Sequence, residues 1–421
     1  MPLVLISAEA ASRIRCGGRW GRVVTVASKA ESLIAIDALS NESDPILPAG
    51  LPTNSWVNGG DKRQNSRWYR VSRELHGAWL AAAVRKDGAI ATADFRKHIP
   101  TQFLSGQHIA VTFAPDVTSE NQGQQLPEIL AWHVTPDCVT PMAVEIMPET
   151  IGMKQIERNW PVATLSRSTV MVVGAGSIGG AAALDLAAYG VGRLILIDPD
   201  RLLWHNLVRH VGPSRDVGRL KVRALKDQIE GLRPDTSVEA FGLDAVTDAD
   251  DVHRLLKTCA AVLCTADGVS ARRVVSHLAR RVRVDSVLAC VLEDGAIGEV
   301  MRLRPWPGRG CLLCHRSQLQ KSGSLDPEAS LEAGYGSFTR PMSAVGGDLH
   351  HVASLAAKVT VASILERSGH TEQQLPGEHA IMALRPTTTW LPPYDVGQTS
   401  DVRWYGSWPS RSDCVTCGAS S

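Results

Sequence analysis

The chain has 421 residues, 44% hydrophobic and 21% charged, and its 44 lysines and arginines against 43 aspartates and glutamates leave a net charge of +1. At about 100–200 residues per domain this length predicts two or three domains, and the ordinary globular balance excludes wholesale disorder and collagen-like sequence. Near-neutrality gives no global field for nucleic acid or an anionic membrane as main partner, and no apolar run approaches the ~20 residues that a membrane helix needs. The start, MPLVLISAEAASRIRCGG, has no basic flank before its apolar stretch, so it is not read as a secretion signal and a cytoplasmic protein is expected.

Residues 1–150 mix short apolar stretches with turn-rich segments such as SNESDPILPAGLPTNSWVNGGDKRQN. RVVTVAS, LIAIDAL, HIAVTFA and ILAWHV read as strands, and RVSRELHGAWLAAAVR reads as a helix. The expectation is a small α/β or α+β accessory domain for partner or substrate recognition. Residues 151–421 change pattern. STVMVVGAG is a β-branched run ending in glycines, followed by a helix from Ile178 to Tyr189; LILID, SVEAFGLD, AAVLCTAD and VRVDSVLACVLE then alternate with helical periodicity. That order predicts an α/β, Rossmann-like, mostly parallel sheet with helices on both faces. GGDLHHVASLAAKVTVASILERSG reads as a long helix, and AIMALRPTTTWL with DVRWYGSWP as a terminal antiparallel pair.

Gly174, Gly176 and Gly179 stand in GxGxxG spacing between the first of these strands and its helix. The first permits a tight turn, the second close approach of a phosphate, and the third tight packing of helix on strand. The helix amino terminus adds unpaired N–H groups for an anion, and Asp198 ends the next strand, where an acid bonds ribose hydroxyls. NAD-dependent redox chemistry is the first class this fingerprint suggests. The residues that follow favour another: Asp200, Asn206 and Arg209 come just after that strand, Gly218 and Lys221 open the next helix, and Asp267 ends a later strand. Cations neutralise a triphosphate and a carboxylate can hold Mg²⁺, needs that a nicotinamide does not have.

Taken in order, GAGSIGG, LILIDPD, HNLVRH, GRLKV, CTADG, CLLC and CVTC resemble the ThiF and molybdopterin-synthase adenylyltransferase family, whose fold is that of ubiquitin-activating enzymes. The likeness covers roughly residues 155–417. It implies that Asp198 binds the ATP ribose, that Asn206, Arg209 and Lys221 contact the phosphates, and that Asp267 positions Mg²⁺. It also implies a homodimer. Two departures stand out: QIERNWP replaces an RYxRQ-like segment, leaving Arg158 as the candidate for a contact made in trans, and NLxRQ becomes Asn206-Leu207-Val208-Arg209-His210.

Of nine cysteines, Cys311/Cys314 and Cys414/Cys417 form two CxxC pairs, which without a signal peptide read as a metal site. Four thiolates suit tetrahedral Zn²⁺ and leave no open position, so a structural role is expected. The stretch Ser317–Gly347, where activating enzymes proper often carry a thioester cysteine, has none, and neither Ser337 nor Thr339 has an evident base. Cys290, Cys259 and Cys264 read as buried apolar cysteines. No His-x-His occurs, which argues against a metal isopeptidase, and Cys138 lacks the surroundings of a conjugating cysteine. The expected reaction is ATP-dependent adenylation of the C-terminal carboxylate of a small ubiquitin-like or sulfur-carrier protein. A ribosomal precursor peptide as substrate, a non-catalytic scaffold that binds a ubiquitin-like protein, and an NAD-dependent oxidoreductase stand as alternatives.

Overall fold

The computed structural model describes residues 2–28, 32–50, 62–85, 88–99, 103–117, 126–148, 152–292, 294–324, 344–385 and 390–418. The chain folds into two compact units, Met1–Ile151 and Gly152–Ser421.

The first unit is built on strands β1 (Leu3–Ile6), β2 (Trp20–Ser28), β3 (Leu33–Leu39), β4 (Leu47–Pro48), β5 (Lys62–Arg70), β6 (Ile90–Ala91), β7 (His108–Phe113), β8 (Ile129–Val134) and β9 (Cys138–Ile146), with helices α1 (Ala8–Cys16), α2 (Arg73–Ala83) and α3 (Thr92–Lys97). Pairing runs β1-β3-β2-β5-β7-β8-β9, and β1 also pairs with β9, so the sheet returns on itself. Closure removes exposed strand edges. One apolar cluster gathers Val4, Ile14, Val23, Trp68, Val111 and Met142; a second packs Leu75 of α2 and Phe95 of α3 against Trp132.

The second unit carries α4 (Val162–Ser166), β10 (Thr169–Val173), α5 (Ser177–Ala188), β11 (Arg193–Ile197), α6 (Lys221–Leu232), β12 (Ser237–Phe241), α7 (Ala249–Leu256), β13 (Ala261–Cys264), α8 (Val269–Arg281), β14 (Asp285–Leu292), β15 (Ile297–Leu303), α9 (Leu312–Lys321), α10 (Gly346–Arg367), β16 (His379–Ala383) and β17 (Val402–Tyr405). The order is β12-β11-β10-β13-β14-β15-β16-β17, parallel from β12 to β14 and antiparallel beyond. TVMVV and AVLC are buried along nearly their whole length because helices cover both faces. α5, α6 and α10 contribute Ala182, Leu225 and Val352 to the core on one face, while α7 and α8 contribute Leu256 and Val275 on the other. The chain leaves β10 for β11 on one side and later reaches β13 on the other. That reversal opens a crevice at the carboxyl ends of β10, β11 and β13, where ligands bind in such sheets. Among the described residues no helix is long and apolar enough to cross a membrane.

Candidate active site

The glycine loop lies in that crevice. Gly174 turns the chain at φ +92°, and a side chain there would meet the Ala266 backbone nitrogen at 2.8 Å. At Gly179 a Cβ would lie 1.8 Å from the Gly174 carbonyl oxygen, so only hydrogen fits between helix and turn. Gly176 is different: a Cβ there would meet nothing within 4 Å. It faces open space at the start of α5, which has no side-chain cap, so the positive end of the helix dipole is directed into the crevice. Gly179→Ala should therefore lower Tm, whereas Gly176→Val should leave Tm within about 2 °C and weaken MgATP binding by tenfold or more. A thermal melt and a calorimetric titration of each variant check this.

Around the loop is a cavity of about 590 Å³ lined by Gly174, Gly176, Asp198, Asp200, Asn206, Arg209, Lys221 and Asp267 among others. Asp198, buried at the end of β11, accepts from the N–H groups of Ala175 (2.7 Å) and Asp200 (2.8 Å). Burial raises its carboxyl pKa, against the pull of Lys221 and these two donors. Lys221, the first residue of α6, donates through Nζ to Asp200 Oδ2 at 2.8 Å; its own side chain is 11% exposed and that of Asp200 67%. Asn206 Oδ1 accepts from Leu203 N–H at 2.9 Å and holds the short turn that carries Arg209. Asp267 opens into the cavity beyond β13. The surrounding protein raises its pKa, while Arg272, Lys221 and Arg209 pull it down. A carboxylate open to a cavity is an oxygen donor that suits Mg²⁺ shared with phosphate oxygens.

Arg158 lies on an exposed turn and is not among the residues lining this cavity. Two neighbours give no signal in the sequence. Arg272, fully buried in α8, donates to the Asp267 carbonyl at 3.0 Å and approaches Cys290 Sγ at 3.2 Å. Thr265 Oγ1 donates to the Gly174 carbonyl at 2.8 Å.

Cys311, Cys314, Cys414 and Cys417 converge, with all four sulfurs within 4.8 Å of one another. Three of the separations are 3.5, 3.7 and 3.9 Å. Zn–S bonds of about 2.3 Å place tetrahedral sulfurs roughly 3.8 Å apart, so the set fits a four-thiolate zinc shell. Arg411 N–H donates to Cys314 Sγ at 3.4 Å, as an outer partner of a thiolate ligand does. Cys311 precedes α9, and the other pair lies beyond β17.

Cys259 and Cys264 are buried, and burial pushes each thiol up to about 11, which leaves them unreactive near neutral pH. Cys290 is also buried and lies 3.7 Å from Glu299. Cys138 Sγ rests 3.6 Å from Thr135 Oγ1 at the start of β9. Ser337 and Thr339 lie outside the described residues.

Residues 146–388 match the profile of the ThiF family. The chain belongs to this family. Among curated relatives, vegetative HesA of Trichormus variabilis is 33% identical over 162 residues, 38% of this chain and 60% of that protein. The SAMP-activating enzyme E1 of Haloferax volcanii is 36% identical over 117 residues, 28% of this chain and 43% of that protein. This ThiF-family chain thus spans less than two thirds of the length of either. Among solved structures, E. coli MccB with ATP aligns with a TM-score of 0.44 at 20% identity, over 61% of this chain and 68% of the other.

Proposed function

We propose that the ThiF unit adenylates the C-terminal carboxylate of a small ubiquitin-like or sulfur-carrier protein. The observation that carries this reading is the convergence of the open Gly176 loop, Arg209, Lys221 and Asp267 on one cavity. Names such as SAMP-activating enzyme E1 and ubiquitin-like modifier-activating enzyme 5 among its relatives favour that substrate class.

The incoming carboxylate oxygen bonds to the α-phosphorus of ATP, and the bond from that phosphorus to the bridging oxygen breaks. The electron pair leaves with pyrophosphate, giving an acyl adenylate. The attacking group is already ionised near neutral pH, so no protein base is needed. Asp198 holds the ribose, the α5 amino terminus and Asn206 orient the phosphates, and Arg209 with Lys221 offset the charge that gathers on the departing pyrophosphate. Asp267 would hold Mg²⁺, which when bound screens charge between phosphate oxygens. Four cysteine thiolates would hold Zn²⁺ away from the reaction. The family's two-fold dimer belongs to the same reading, with Arg158 reaching the partner copy's nucleotide. Residues 1–150 would serve partner or substrate recognition.

The test is ATP–pyrophosphate exchange by zinc-loaded protein with purified small proteins ending in Gly-Gly. Exchange should require one such partner and disappear when its terminal glycine is removed. Exchange driven instead by a short ribosomal peptide would replace the substrate class, and ATP binding without exchange for any carboxylate would leave a scaffold.

A further inference from the structure

His210 stands beside Arg209 among the residues that border the cavity, and it is buried, 8% exposed. One ring nitrogen, Nδ1, lies 2.8 Å from the Gly212 backbone nitrogen, and the other, Nε2, lies 2.8 Å from the Ala175 carbonyl oxygen. The Gly212 N–H can only donate, so Nδ1 accepts and Nε2 carries the proton that it gives to Ala175. Only the neutral ring satisfies both bonds. Gly212 makes room for it: a Cβ there would come within 3.0 Å of Nδ1.

Ala175 is the residue between Gly174 and Gly176, and the peptide units on its two sides are each held. Its N–H is committed to Asp198 and its carbonyl to His210. In a planar trans peptide the carbonyl of one residue and the N–H of the next point in opposite directions. Holding the Ala175 carbonyl on the ring therefore fixes the Gly176 N–H pointing the opposite way, and Gly176 borders the cavity.

We propose that His210 is a positioning residue that orients the Gly176 N–H toward nucleotide phosphate, and that it does so only as the neutral imidazole. The proposal rests on the nucleotide-binding reading above. Protonating Nδ1 would set two N–H groups against each other at Gly212 and release the ring. Burial lowers the pKa of His210, against the pull of its bond to the Ala175 carbonyl, and the groups facing it lower it further: Lys221 from α6, His350 from α10 and Arg209 from its own turn. Asp198, across the Ala175 peptide, is the nearby carboxylate. The ring is thus neutral at pH 7, and its orienting role is lost as pH falls through a window below the ordinary histidine value.

The experiment is MgATP affinity by calorimetry between pH 5 and 8 for the wild-type chain, His210→Gln and His210→Ala. A glutamine amide can donate to Ala175 and accept from Gly212 without titrating. His210→Gln should bind within about threefold of wild type at pH 7.5 and weaken less than wild type on the acid side. His210→Ala should bind about tenfold more weakly at every pH. Two outcomes overturn the proposal: wild-type affinity in His210→Ala, or an acid limb in His210→Gln identical to wild type. Absence of MgATP binding by the wild-type chain overturns the nucleotide reading and this proposal with it.

Discussion

Lys221→Ala should lower partner-dependent ATP–pyrophosphate exchange by about 10²–10³-fold, as loss of one preorganised charge in a catalytic cavity does. Lys221 is the one lysine lining the cavity among the described residues, and its stem is buried at the head of α6 while its ammonium lies on Asp200. In the free protein that pair is weak, because the Asp200 side chain is 67% exposed and solvent screens it. The stability cost of removing the amine should therefore stay under about 1 kcal/mol. Bound triphosphate is a stronger acceptor than Asp200, so the ammonium gains a partner where charge develops. Asp200→Asn, by contrast, should leave exchange within about fivefold. Exchange in Lys221→Ala within threefold of wild type, with an unchanged melting curve, would remove Lys221 from the reaction.

Much of this arrangement was legible because its constraints are local. A β-branched run, a glycine turn and an alanine-rich helix impose β10, the loop and α5 with no help from the rest of the chain. Asp198 then follows from ending the buried strand β11, and Asp267 from lying just beyond β13. The unread parts depend on distant partners. β5, with sequence KRQNSRWYR, carries no apolar alternation until Ser66 and Trp68 turn inward, and its place comes from pairing β2 and β7. Closure of the first unit needs β1 to meet β9 across most of that unit, which no short window records. β15 hides Glu299, whose charge is answered by Arg316 from α9, His379 from β16 and Tyr394. A buried carboxylate reads as a surface residue until its partners are known. Likewise His210 reads as one change in a motif, and only the two bonds of its ring reveal what it holds.

Cys414→Ser should reduce bound zinc from one per chain to nearly none and lower Tm by roughly 8–16 °C. The first half follows from geometry: four sulfurs at the spacing of a tetrahedral shell bind poorly when one is an alcohol. The second follows from linkage, since an ion that binds only the folded chain at 1,000 times its Kd adds about 4 kcal/mol. Each kcal/mol moves Tm by about 2–4 °C in a domain of this size. The consequence should be felt beyond the knuckle. Cys314 lies in α9, two residues before Arg316, whose guanidinium clamps Glu299 in the sheet. Glu299 lies against Cys290, Cys290 against Arg272, and Arg272 holds the Asp267 carbonyl. Chelating zinc from the wild-type chain should thus weaken MgATP binding as well as lower Tm, although no cysteine lines the cavity among the described residues. Acid should release the metal too, because thiolate ligation competes with protons. Cys16→Ser, at an exposed cysteine in the first unit, is the control and should keep its zinc. Full zinc content in Cys414→Ser by elemental analysis, or a melting curve indifferent to chelator, would show that these four cysteines stabilise the fold without an ion.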